Sequence, residues 1–170
     1  MSRPSASNAP GGSAPDLPGQ RRPVVTVAAI VNRDRRFLVV EERADGADVF
    51  NQPAGHLEAG ETPLEAVRRE VLEESGWEFE PETIVGVYLY PNPAQQVTYL
   101  RLCFAGRCTA HHPGRPLDDG ILRACWMNRE ELAARPDRLR SPLVLRCIDD
   151  FLDGKSHPLE LISRVVSGDG

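Results

Sequence analysis

The run from Thr62 to Gly76 writes out a complete helix with both ends marked, and few other stretches of this chain leave so little choice of structure. Thr62 with Glu65 three residues on is a capping box, Pro63 suits the first helical position, and Gly76 suits the left-handed residue that stops a helix. The spacing predicts a helix over Pro63 to Ser75. At 100° per residue Leu64, Val67 and Val71 form one apolar stripe, which must be covered by another layer of the fold. Glu70, Glu73 and Glu74 fall beside that stripe on one arc, at the rim of the core.

Around this helix the chain reads mostly as strands. Val24 to Val31 and Phe37 to Glu42 are apolar and β-branched, joined by the polar turn Asn32 to Arg36, and predict a hairpin. Ala44 to Asp48 reads as a loop and Phe50 to Gln52 as a short strand. Further strands are expected over Ile84 to Tyr90, Val97 to Ala105 and Ile121 to Met127, with a turn at Pro91 to Gln96 and an irregular, mobile stretch from His111 to Gly120. Arg129 to Ala134 predicts a short helix, and Pro142 to Leu152 a longer one started by Ser141 and ended at Gly154. The pattern is α/β, a mixed sheet flanked by helices.

Three like charges on one helical arc repel one another, and more strongly where partly desolvated. Arg69, four residues before Glu73, is expected to neutralise one of them. A hard divalent cation with oxygen ligands, Mg²⁺ or Mn²⁺, would balance the remainder. Taken alone, the triplet also fits an ordinary solvated helix face.

The flanking residues decide between these. Gly55, Glu61, Arg69, Glu70, Val71, Glu73, Glu74, Gly76 and Trp77 stand at the spacing of the Nudix box, with Trp77 where an aliphatic residue is usual. Seven fixed identities at fixed spacing arise by chance about once in 10⁸ starting positions. The chain therefore resembles the Nudix hydrolases. Val25 to Glu42, Asn51 to Glu58, Leu139 to Val144 and His157 to Ile162 further resemble the NudJ-type phosphatases of that family. The resemblance implies a Nudix α/β/α sandwich with a mixed sheet. It also implies Mg²⁺-dependent release of phosphate from nucleoside di- and triphosphates and from the pyrophosphates of thiamine or its hydroxymethylpyrimidine precursor.

Residue roles follow from the same pattern. The resemblance makes Glu70 and Glu74 direct metal ligands, Glu73 a further ligand or a partner through water, and the Gly55 carbonyl a backbone ligand. Glu73, Glu74 and Arg69 form the expected catalytic set, Arg69 by orienting Glu73, while Glu61 ties the loop to the helix. Glu73 is the first choice for general base, with Asp118 or Asp119 the second. Arg101, His56 and Arg43 are candidate substrate-binding residues, as is Arg140. Tyr88, Tyr90, Tyr99 and Trp126 are placed either to stack on a ring or to fill a sheet face.

Composition bounds the remaining possibilities. With 170 residues, 41% of them hydrophobic, the chain has enough apolar material for one domain, expected over residues 24–165. Residues 1–23, rich in Ser, Pro, Gly and Ala, are expected to be a disordered tail and no signal peptide. A net charge of -5 argues against duplex nucleic acid, and no apolar run is long enough to span a bilayer. A cytoplasmic enzyme with a small polyphosphate substrate and no evident protein partner is the expectation. The four cysteines are spaced poorly for zinc and are expected as reduced, mostly buried thiols. Two alternatives stay open: a pyrophosphohydrolase cutting a nucleotide sugar or dinucleotide between its phosphates, and a non-catalytic Nudix ligand-sensing module.

Overall fold

Strand β1 (Val24–Arg33) is the seam of the structure, a computed structural model that describes residues 22–165. The tail expected over residues 1–23 lies outside the described residues except at Arg22 and Pro23. The body of β1 pairs in parallel with β6 (Val97–His111) and antiparallel with the short β4 (Ala54–His56). Its last residues, Asn32 and Arg33, pair instead with β2 (Arg36–Ala44). Beyond β2 lie β3 (Ala47–Asn51) and β7 (Ile121–Met127), and beyond β6 lies β5 (Trp77–Asn92). Because β1 bonds to different partners along its length, the two halves of the sheet part beside β4 and leave an opening there.

Helices cover both faces. Helix α1 (Pro63–Ser75) lays Ala66, Val67 and Val71 against Val27, Ala29, Leu38 and Phe104. On the opposite face α2 (Arg129–Ala133) and α3 (Leu143–Leu152) place Leu132, Cys147 and Ile148 on Ala28, Ile30, Phe37 and Val39. Burying each such valine or isoleucine contributes about 1.5–3 kcal/mol. The architecture is the expected α/β/α sandwich around a mixed sheet.

Local detail departs from the sequence reading in instructive places. The turn after β1 is only Asp34 and Arg35, both with positive φ, and the expected loop at Ala44 to Asp48 is a tight hairpin over Asp45 and Gly46. Positive φ at both central residues matches the right-handed twist of the flanking strands. Strands β5 and β6 run well past the expected limits, because the pairing continues through register shifts at Phe79, Pro81 and Ile84. Pro81 is tolerated inside a strand because it sits at one of these bulges. Helix α3 begins at Leu143, one residue late, with Ser141 Oγ accepting from the Leu143 amide at 3.3 Å. All four cysteines are free thiols: Cys103 and Cys147 are buried, Cys108 and Cys125 half-buried.

Candidate active site

The opening beside β4 is lined on one side by the second half of α1, through Arg69, Glu70, Glu73 and Glu74. Thr62 Oγ1 accepts from the Glu65 amide, and the Glu65 carboxylate accepts from the Thr62 amide at 2.7 Å, so the capping box forms in full. Gly76 takes φ 70 and its amide donates to the Leu72 carbonyl at 3.0 Å, ending the helix at the predicted residue. Between β4 and α1 the loop is tied down by Glu61, which accepts from the Glu58 amide at 2.7 Å and from Arg69 at 2.7 and 3.1 Å. Arg69 Nη2 also donates to the His56 carbonyl at 3.0 Å. One guanidinium thus fastens loop, strand and helix together.

Two of the three acidic side chains lie deeper than a rim. Glu70 is 7% exposed and Glu74 8%, while Glu73 is half-buried. Arg69 Nη1 donates to Glu70 Oε1 at 2.8 Å and to Glu73 Oε2 at 3.1 Å, so it neutralises two members of the cluster where one was expected. The reason is geometric: Arg69 reaches back over its own neighbour as well as down to the residue one turn on. Glu74 has no cationic partner among the described residues; its Oε2 accepts from the Ala54 amide at 2.8 Å. Burial pushes Glu74 up to about 9, against the Ala54 hydrogen bond that lowers it, and nearby Glu70 raises it further. Burial also raises Glu70, although Arg69 opposes this. Arg69 itself is held above its ordinary value, first by Glu61 and then, against the cost of burial, by Glu70 and Glu73.

This donor set suits a hard cation. Glu70 Oε2, Glu73 Oε1 and Glu74 Oε1 have no hydrogen-bond partner among the described residues, and all are oxygens. Gly55 lies against the same carboxylates: a Cβ there would overlap the Glu70 carboxyl group, so only glycine leaves the space open. Among the described residues no three His, Cys, Asp or Glu side chains are drawn to ligating distance as they stand. The Arg69 guanidinium fills the place between Glu70 and Glu73, and a cation would take over part of its role.

The carboxylates form one wall of a cavity of about 400 Å³. Of the substrate-binding candidates, His56 lines it as an exposed residue on β4, and Arg101 lines it as a buried one on β6. Arg140 also lines it, 3.7 Å from Glu42 and 3.3 Å from Asp45. Arg43 does not: it points to the surface and pairs with Asp48 at 2.7 Å, because the tight Asp45-Gly46 hairpin brings that cross-strand partner opposite it. Tyr90 and Tyr99 form a near-parallel pair on the cavity wall, 6.5 Å apart. Tyr88 instead donates to Asp150 at 3.0 Å, and Trp126 packs with Arg33 and Trp77. Asp118 lines the cavity, its amide donating to the Glu73 carbonyl at 3.0 Å; Asp119 is not part of the lining. Thr26, Asn92 and Gln95 were not singled out by sequence, since only the register of β1, β5 and β6 brings them to the cavity.

Comparison with known proteins agrees with this geometry. The NUDIX domain model matches residues 20–146. Phosphatase NudJ of Escherichia coli (strain K12) is 40% identical over 141 residues, covering 83% of this chain and 91% of that protein. Phosphatase NudJ of Shigella boydii serotype 4 (strain Sb227) matches with the same identity and coverage. Among solved structures, a NUDIX hydrolase from Nitrosomonas europaea superposes with a TM-score of 0.82 at 44% identity, covering 85% of this chain and 98% of that one. The MutT NUDIX hydrolase from Burkholderia pseudomallei, at 22% identity and a TM-score of 0.66 over 76% of this chain and 98% of that one, shares the fold. The chain belongs to the Nudix family and is a hydrolase acting on phosphoanhydride bonds.

Proposed function

We propose that the protein is a Mg²⁺-dependent phosphohydrolase, with Mn²⁺ as an alternative metal, that releases orthophosphate from nucleoside tri- and diphosphates and from the pyrophosphates of thiamine or its hydroxymethylpyrimidine precursor. Nudix enzymes work with divalent cations, and close similarity to proteins named Phosphatase NudJ supports terminal-phosphate release. The observation that carries the reading is the pair of buried glutamates on one cavity wall, Glu70 set against Gly55 and Glu74 bonded to the Ala54 amide.

Glu70, Glu74 and the Gly55 carbonyl would hold the cation, with Glu73 as a further ligand or acting through water. When bound, the cation neutralises phosphate oxygens and lowers the pKa of water. Arg69 keeps Glu73 and Glu70 facing the cavity and, through the His56 carbonyl, fixes strand β4, which carries Gly55. Water attacks the terminal phosphorus, the bond to the bridging oxygen breaks, and the shortened phosphate leaves with that oxygen. The proton lost by water passes to a carboxylate, Glu73 first and Asp118 second, both on the cavity wall.

Phosphorus NMR of the products of ADP, a nucleoside triphosphate and thiamine pyrophosphate, each with Mg²⁺, tests this directly. Orthophosphate is the expected product. Two monophosphate esters from a dinucleotide, with no orthophosphate from these three, would show a cut between internal phosphates instead.

A further inference from the structure

Arg101 is the odd member of the cavity wall. It is 8% exposed, and its Nε and Nη1 atoms are buried with no hydrogen-bond partner among the described residues. An unpaired guanidinium in such a place is costly, and native structures rarely keep one without a use. Thr26 stands beside it in register on β1, 6% exposed, with Oγ1 equally buried and unpartnered. Both residues line the cavity that the acidic helix also faces.

The register fixes where this lies. Across β4, β1, β6 and β5 the residues at one level are His56, Thr26, Arg101 and Tyr88. Two residues earlier on β6, Tyr99 pairs with Tyr90 across β5, so the aromatic pair adjoins Arg101 on the same face. The carboxylate reaching this face is already engaged: Asp150 accepts from Tyr88 at 3.0 Å, from Arg146 at 3.0 Å and from Lys155 at 2.7 Å. Among the described residues no carboxylate forms an ion pair with Arg101, and the open direction is the cavity.

We propose that Arg101 and Thr26 form an anion subsite that takes a phosphate group of the substrate without the aid of metal. This rests on the reading of the cavity as a polyphosphate site and extends it: the cation on α1 holds one part of the polyphosphate, and Arg101 holds another. Charge-assisted hydrogen bonds from a guanidinium to a phosphate oxygen are among the stronger polar contacts in proteins. The subsite accounts for three orphaned donor atoms with one ligand, and it favours substrates carrying two or more phosphates.

The test is calorimetric titration of the full chain with inorganic phosphate and, separately, with AMP, both in EDTA. Wild type is expected to bind at least one of them. Tighter orthophosphate binding assigns the subsite to the departing phosphate, and tighter AMP binding to the phosphate kept on the ester; either result supports it. Arg101→Met should weaken binding about tenfold or more and raise the unfolding temperature in phosphate-free buffer, since an unpaired buried charge is gone. Thr26→Val, which preserves shape and removes an unpaired buried hydroxyl, should weaken binding several-fold at an unfolding temperature no lower than wild type. In turnover with Mg²⁺, Arg101→Met should raise KM more than it lowers kcat. No anion binding by wild type in EDTA, or wild-type binding by both variants, would overturn the subsite. Hydrolysis with Mg²⁺ that persists alongside that result leaves the phosphohydrolase reading standing. Arg101-dependent anion binding without any hydrolysis would sink that reading and keep the subsite.

Discussion

Glu74 shows how much a single residue's surroundings decide. Its carboxyl is buried, lacks a cationic partner, and is held near 9, far above the 4.5 of an exposed glutamate. Because the folded value lies above the unfolded one, the folded state binds the extra proton between these limits. The contribution of Glu74 to stability is therefore full below about 4.5 and declines as pH rises toward 9. On the proposed ligand role of Glu74, a cation held there would replace that proton, so stabilisation by Mg²⁺ should grow with pH over the same window, with proton release. Unfolding temperatures from pH 5 to 9, with and without Mg²⁺, measure this; a metal effect independent of pH would contradict it. Gly55→Ala is expected to abolish most turnover, since the new Cβ collides with the Glu70 carboxyl, and to cost about 1–3 kcal/mol in urea unfolding. An alanine variant with wild-type activity would mean that Gly55 is not against the reacting atoms. The glutamates and Gly55 were legible in the sequence because their spacing is local and their residue types admit few uses. Arg101 was legible only as a candidate, since its missing partners appear only once β1, β5 and β6 are laid side by side.

At the level of elements, α1 was predicted to the residue because each of its signals acts within one turn: the Thr62 cap, Pro63, and Gly76 at φ 70. Thr62→Ala removes the side-chain half of the capping box, leaving the residue 62 amide to donate to Glu65, and should cost about 1 kcal/mol in denaturant unfolding, with a smaller effect on kcat than on stability. A change below a few tenths of a kcal/mol would show that the loop holds the helix without its cap. The strands were harder to bound. Where a strand stops depends on its partner, and β5 and β6 continue together to Trp77 and His111 through shifts that neither sequence announces. The Asp45-Gly46 turn was written in the chain as the dipeptide that favours a two-residue hairpin. That hairpin is also what removes Arg43 from the cavity, by setting Asp48 opposite it.

The whole molecule brings its acidic helix and the buried Arg101 of β6 to one cavity, where the two halves of the sheet part at β1. Among the described residues those lining the cavity lie between Thr26 and Leu143, so removing residues 1–20 should leave turnover with Mg²⁺ unchanged; loss of activity would tie the tail to the site. Ion pairs elsewhere set the acid limit of the fold. Arg123 and Arg138 hold Glu41 below its ordinary value and Arg69 does the same for Glu61, while at Asp150 burial is outweighed by Lys155, Arg146 and Tyr88. Groups lowered in this way stabilise the fold above their unfolded values, and that contribution is lost as pH falls below about 4. Among the described residues no helix is long and apolar enough to cross a membrane. Orthophosphate release from ADP by wild type and by Glu74→Gln, each at saturating Mg²⁺, tests the central claim most directly. Loss of roughly 100-fold or more in kcat, at an unfolding temperature no lower than wild type, is the predicted result. Wild-type turnover by the Gln variant would contradict it.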